Sequence, residues 1–243
     1  DSSTYTLTIS GTGAMYDYKS NNRPWESYED KIKYIKIEDG VTSIGNYAFY
    51  DCDKLINAIF PDSANTLGAR AFASCAKLSN VTLGNGLISI GDYAFNFCQS
   101  LTNVPIPNSV TTIGQCAFKE CRNLKSINIP DGVTKINSQV FTLCESLTKV
   151  IIPDSVIIID NDAFGACKGL VSVTIGNSVT TIGDSAFNYN KNLTNVIIPS
   201  SITEIGASAF GQASGTITMS GRTDLNGINV GDYWNGDATI VYE

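Results

Sequence analysis

The chain has 243 residues, a mass of 26.0 kDa and 43% hydrophobic side chains, enough to bury a core, but only 16% charged residues against the roughly 25% common in folded domains. Sixteen basic against twenty-three acidic side chains leave a net charge of −7 and a pI of about 4.6, which argues against a nucleic-acid partner because phosphate neutralisation needs clustered Lys and Arg. Histidine is absent, which excludes Ser-His-Asp and Cys-His catalysis, histidine-ligated metal and an imidazole pH switch, and the longest apolar runs, such as Val156 to Ile159, fall far short of the roughly 18 residues a membrane span needs.

The sequence opens at Asp1 with neither an initiator Met nor a basic-plus-apolar leader, so its start reads as a removed signal peptide or as a boundary inside a longer protein. Tyr5, Leu7 and Ile9 alternate with Thr and Ser and predict one strand with a single buried face. Five of the eleven tyrosines precede residue 35, and Trp25 lies among them, between Tyr18 and Tyr28. Residues 1–31 therefore read as an N-terminal cap.

From residue 32 the chain repeats. Phe49, Phe72, Phe95, Phe118, Phe141, Phe164, Phe187 and Phe210 recur every 23 residues without insertion or deletion. Ala precedes each Phe except at Val140, and three residues after each Phe stands Cys52, Cys75, Cys98, Cys121, Cys144 or Cys167, then Asn190 and Ala213. A Leu follows three residues later in seven copies, from Leu55 to Leu193, and Thr216 ends the series. Within one unit, Leu101, Val104 and Ile106 predict a strand of about five residues with one buried face. A turn of Pro or Gly, then Asp, Asn or Ser, then Gly or Ser comes next, as at Pro107-Asn108-Ser109. The β-branched Val–Thr–x–Ile that follows predicts a second short strand. It ends at Gly45, Gly68, Gly91, Gly114, Gly183 and Gly206, or at Asn137 and Asp160, residues that share access to positive φ, so this slot is expected in the left-handed region. The x-x-Ala-Phe-x-x-Cys stretch has room for only one or two helical turns, 3-10 or α.

A 23-residue unit cannot bury its own apolar face, whereas copies stacked in register bury Leu, Val, Ile, Phe and Cys in columns. The expected fold is an α/β right-handed solenoid of eight rungs plus terminal caps, built of short parallel strands and spanning about 40 Å at about 4.8 Å per rung. Residues 32–213 form the array. Residues 214–243, with Trp234 and an apolar Ala238 to Tyr242, read as the C-terminal cap, because an open stack exposes a strand edge and a cut core at each end. A ligand site around either Trp is the competing reading.

The pattern resembles the BspA-like leucine-rich repeat family, whose unit reads Leu-x-x-Val-x-Ile-Pro-x-Ser-Val-Thr-x-Ile-Gly-x-x-Ala-Phe-x-x-Cys. Residues 101–121, LTNVPIPNSVTTIGQCAFKEC, match it at every defining slot. The stretch YTLTISGTGAM from Tyr5, with Pro24-Trp25 and Ile37 to Val41, is similar to the N-terminal cap that precedes such arrays. The resemblance implies a leucine-rich-repeat solenoid and a secreted or cell-surface protein, mostly bacterial, that adheres to components of a host or neighbouring cell.

Seven cysteines in such a setting invite disulfides, but equivalent side chains on stacked rungs point the same way, while a disulfide needs converging Cβ vectors. A ladder of reduced thiols is the better reading. Cys116 stands apart, two residues before Phe118 in a slot that elsewhere holds Tyr47, Arg70, Tyr93, Gln139, Asp162, Ser185 and Ser208, and is expected to be the exposed thiol. As a nucleophile it lacks a base. The cysteines lack C-x-x-C spacing, the recurring Asx turn offers at most one carboxylate per copy where Ca²⁺ takes six to eight oxygens, and neither Gly11-Thr12-Gly13 nor Gly84-Asn85-Gly86 completes a phosphate-binding motif. No metal or cofactor is expected.

The outward face of the main strand remains: Asn57 and Ile59, Asn80 and Thr82, Asn103 and Pro105, Ser126 and Asn128, Lys149 and Ile151, Ser172 and Thr174, Asn195 and Ile197. Ile59, Ile151 and Ile197 are candidate hot spots there, although β-branched residues also simply suit an exposed strand. Lys119, Arg122 and Lys125 form a basic cluster that either steers an acidic partner or lies in a solvated loop. The expected function is a monomeric binding or adhesion module that holds a protein or glycan on this face. A structural spacer is the alternative, and a carboxylate-based hydrolase the distant one, since nothing suggests a cleft for a paired acid.

Overall fold

The computed structural model describes residues 4–243. The chain winds into a parallel β-solenoid of about nine turns, as the repeat predicts. Partners in the ladders lie one repeat apart: Ile35 pairs with Ala58 and Ala58 with Val81, while Val150 pairs with Val173 and Val173 with Val196. Each turn carries a main strand, such as Lys149–Ile151, and a second strand, such as Ile158–Ile159, joined by the expected turn, in which Val110 N donates to Pro107 O at 3.0 Å. The main strands are two to four residues long, shorter than predicted, because the Asx turn takes over directly after the inward Ile.

The helical component of the α/β expectation is not found. Among the described residues the one helical element is the 3-10 turn Glu26–Tyr28, and the Ala-Phe-x-x-Cys stretch forms consecutive turns instead. The reason lies in where alternate amides go. Tyr47, Phe49 and Asp51 donate forward to Ala69, Ala71 and Ala73 O of the next rung at 2.9, 2.7 and 2.9 Å, whereas Ala48 and Tyr50 close local turns on Gly45 and Tyr47 O at 3.3 and 3.2 Å. A helix would consume every amide internally and leave none to tie one rung to the next. Alternation requires alternating backbone, and Tyr47 and Asp51 accordingly stand at φ +55° and +59°.

That observation corrects a second expectation. The left-handed residues occupy the slot two before each Phe and, in the first seven copies, the slot two after it, not the slot of Gly68 and Gly114. At those two positions glycine answers a close approach, since a Cβ on Gly68 would lie 2.5 Å from Asn46 N and one on Gly114 would lie 2.5 Å from Asp92 N, while Asn137 and Asp160 fill the same slot in two other rungs.

Inside the coil the eight phenylalanines form one unbroken column. Neighbouring ring centroids lie 5.0 to 5.6 Å apart, and from Phe72 onward the planes are within 17° of parallel. All are fully buried, each worth about 1.5–3 kcal/mol of transfer free energy. Trp25 stacks on Phe49 at 5.5 Å and donates its Nε1–H to Ala48 O at 2.9 Å, and Trp234 meets Phe210 edge-on at 6.4 Å. The strands Thr6–Ile9 and Thr239–Tyr242, both foreseen from sequence, extend the main ladder in register at its two ends.

All seven cysteines are free and buried. In the Cys column every thiol after Cys52 donates to the carbonyl of the Phe one rung back: Cys75 to Phe49 O, Cys98 to Phe72 O and Cys167 to Phe141 O at 3.1 Å, Cys121 to Phe95 O at 3.2 Å and Cys144 to Phe118 O at 3.3 Å. Burial pushes these thiols up, to about 12 for Cys52 and Cys167, so none is a nucleophile at neutral pH.

Candidate functional site

The main strands present their outward side chains in two columns. Ladder pairing aligns Asn57 with Asn80, Ser126 with Asn103, and Lys149 with Ser172 and Asn195; beside them Ile59 aligns with Thr82, and Ile151 with Thr174 and Ile197. The inward residue between each pair, such as Ala58, Val81, Val104 or Val150, is buried, so the period of two turns each flanking residue away from the core. All but Asn57 and Ser172, which are half-buried, are exposed.

Pro105 interrupts the sheet under this face. It has no N–H for the ladder, and the main sheet divides into Thr6–Ile9 through Asn80–Thr82, the pair Asn103–Val104 and Ser126–Ile127, and Lys149–Ile151 through Thr239–Tyr242. Asn128 bridges the interruption with its side chain: Ile106 N donates to its Oδ1 at 3.2 Å, and its Nδ2 donates to Ile106 O at 2.9 Å. Asn128 is thereby committed to structure and not to a partner.

Of the other amides of the face, Asn80 donates its Nδ2 to Ser79 Oγ at 2.9 Å and the rest are open. Asn57, Asn103 and Asn195 make no side-chain hydrogen bond within the described residues, and the Lys149 ammonium meets no carboxylate there. Each amide holds two donors and an acceptor ready for a ligand. Ile151 is 57% exposed, Ile197 48% and Ile59 44%, and polar neighbours separate them, so the face is a polar strip with isolated apolar points and not a greasy patch.

One expectation about surface chemistry needs correction. Cys116 is 3% exposed, its Sγ donating to Gln139 Oε1 at 3.5 Å. Its slot is half-buried in the other seven copies, and at Cys116 the short side chain is covered by the longer residues one rung away on either side, Tyr93 and Gln139. The basic cluster is likewise largely engaged: Arg122 sits between Glu120 and Glu145 at 2.9 and 3.1 Å, and Lys119 donates to Gln139 Oε1 at 2.8 Å.

Sequence reasoning also stopped the face too early. Tyr34 and Lys36 align with Asn57 and Ile59, and Thr216 and Thr218 with Asn195 and Ile197, so the flanks extend both columns. The alternation Tyr34-Ile35-Lys36-Ile37 carries the signal. Ile88 and Ile157, 51% and 42% exposed beside the second strand, were missed as well, because Thr fills most other copies of their slot.

A model of the BspA-type leucine-rich repeat region matches residues 27–148 and 134–234, with six copies. The chain belongs to the BspA-type leucine-rich repeat family. Among solved structures, a leucine-rich repeat protein from Bacteroides ovatus is 25% identical over 86% of this chain with a TM-score of 0.65, and the match covers 63% of that protein's length. The leucine-rich repeat protein of T. pallidum is 26% identical, with a TM-score of 0.54 over 82% of this chain and 81% of that one. No curated protein matches the chain. Among the described residues no helix is long and apolar enough to cross a membrane.

Proposed function

We propose that this BspA-type repeat protein is an extracellular or cell-surface adhesion module whose main-strand face holds an extended protein or glycan segment. The observation that carries this reading is the set of unengaged groups on that face: the amides of Asn57, Asn103 and Asn195, the ammonium of Lys149 and the exposed Ile59, Ile151 and Ile197. A column of amide, hydroxyl and ammonium groups, one per rung at about 4.8 Å with open amides at Asn57, Asn103 and Asn195, suits the repeating donors and acceptors of a peptide backbone or an oligosaccharide. The proposal includes right-handed winding of eight family-type rungs, with residues 1–31 and 214–243 covering the ends as caps.

Binding is favoured over catalysis because burial holds the thiols of the Cys column protonated and because three cavities, one beneath Trp25 and Tyr28, one beside Gly11 to Met15 and one beside Arg70, have no carboxylate in their linings. Substituting Asn103, Lys149 and Ile151 together by Ala tests the reading. Proteins captured by the wild-type chain from host-matrix and neighbouring-cell extracts should be lost with this variant, while its melting temperature stays unchanged. Retention of the same captured proteins would favour a spacer that carries its binding function elsewhere.

A further inference from the structure

On the turn side of the coil, apart from the main-strand face, Arg70 lies between two tyrosines one rung to either side. Its guanidinium carbon is 4.5 Å from the centre of the Tyr93 ring and 5.7 Å from that of Tyr47, and its Nη1 donates to the Tyr47 hydroxyl at 2.7 Å. The other three arginines are engaged: Arg23 by Glu26 and Glu29, Arg122 by Glu120 and Glu145, and Arg222 through its Nη atoms by the carbonyls of Ser200, Ile202 and Asn226, its Nε remaining buried without a partner. Among the described residues, Arg70 alone meets neither a carboxylate nor a carbonyl. It is held by ring faces and keeps most of its five donors available.

Those donors open onto a cavity of about 380 Å³, a size suited to a small ligand. Ser20, Tyr50, Ser74 and Asn96 join Arg70 and its tyrosines in the lining, and no carboxylate is present to compete for the guanidinium. Asn96 spends one amide proton on Lys119 O at 3.0 Å and leaves its Oδ1 free as an acceptor. Tyr50 inclines against Tyr47 at 5.6 Å and 58°, so with Tyr93 three aromatic rings border the space.

We infer that this cavity binds an acidic sugar, its carboxylate held bidentately by Arg70 and its ring packed against the tyrosines. A planar fork matches a carboxylate, aromatic rings match the C–H faces of a pyranose, and hydroxyl and amide side chains match its hydroxyls. A single anionic group fits better than a polyanion, because the chain as a whole carries −7 and one unpaired cation defines the site.

Titration of the intact chain with N-acetylneuraminic acid and with glucuronic acid, followed by calorimetry and by ligand-observed NMR, tests this. At least one acid should bind at millimolar concentration or below, its methyl ester about tenfold or more weakly, and Arg70→Lys should weaken it by about tenfold because the fork is lost while the charge remains. Arg70→Gln should abolish binding, and Lys191→Ala, an exposed residue far along the chain from the cavity and outside the main-strand face, should leave it unchanged. Tyr50→Ala, which leaves the Arg70 contacts intact, should weaken binding several-fold and provides the test if the Arg70 variants fold poorly. Absence of binding by both acids, equal binding of acid and ester, full binding by Arg70→Gln, or equal competition by inorganic phosphate would each overturn the assignment.

Discussion

The Asn190 amide donates to the Phe164 carbonyl at 2.9 Å, in the position where the Cys167 thiol donates to the Phe141 carbonyl at 3.1 Å. Asparagine thus replaces cysteine in the column by supplying the same donor. It also brings an acceptor that cysteine lacks, and the Asn190 Oδ1 is buried without a partner. Asn190→Cys should therefore stabilise the chain by about 1–2 kcal/mol, the usual cost of an unsatisfied buried polar atom, read as a shift in the urea midpoint at constant m. A destabilised variant would show that the column does not choose its residues by this hydrogen bond.

The thiol column predicts loss of stability in alkali. A buried thiol has its pKa raised above the unfolded value, so its contribution is fully present below about pH 9 and is lost as pH rises towards the folded value, about 12 for Cys52 and Cys167. Above pH 9 the unfolded chain releases thiol protons that the native chain retains, and each such thiol lowers stability by up to about 1.4 kcal/mol per pH unit. Circular dichroism should show cooperative unfolding between pH 9 and 12, accompanied by thiolate absorbance at the same midpoint. Thiolate appearing while the fold persists would contradict the buried column.

Cys116 should behave like the other six. A thiol reagent added to native protein near pH 7.5 should meet no fast-reacting cysteine, and all seven should react once the chain is unfolded in denaturant. One equivalent reacting rapidly in the native state, mapped to Cys116, would restore the exposed reading.

Asn128 and Asn103 look equivalent in sequence but should separate by experiment. Asn128→Ala removes both hydrogen bonds to Ile106 beside the Pro105 interruption and should cost about 1–3 kcal/mol, whereas Asn103→Ala, with no bond to lose, should stay within about 0.5 kcal/mol. Equal effects in thermal melts would refute the bridging role.

The columns, both strands and the Asx turn were legible because an uninterrupted 23-residue period prints every inward residue in the same slot. The backbone of the Phe turn was not. Its left-handed slots hold Tyr47, Arg70, Cys116 and Gln139, residues with no preference for positive φ, which hydrogen bonds from the neighbouring rung hold there. Glycine at Gly68 and Gly114 announces either positive φ or close approach, and one sequence does not say which. The cover over Cys116 comes from residues 23 positions away on either side, contacts that a slot-by-slot comparison of composition overlooks. On the outer face the alternation showed which residues point outward, but only the hydrogen bonds separate the engaged Asn128 from the open Asn57, Asn103 and Asn195.

The role assigned to the main-strand face is tested most directly by photo-crosslinking. A photoreactive residue is placed singly at Asn103, at Lys149 or at Tyr189, which is 56% exposed on the turn side, and each chain is irradiated with a protein or glycan captured by the wild type. The account predicts covalent capture from positions 103 and 149 and none from 189. Crosslinking from 189 with none from 103 and 149 would contradict it.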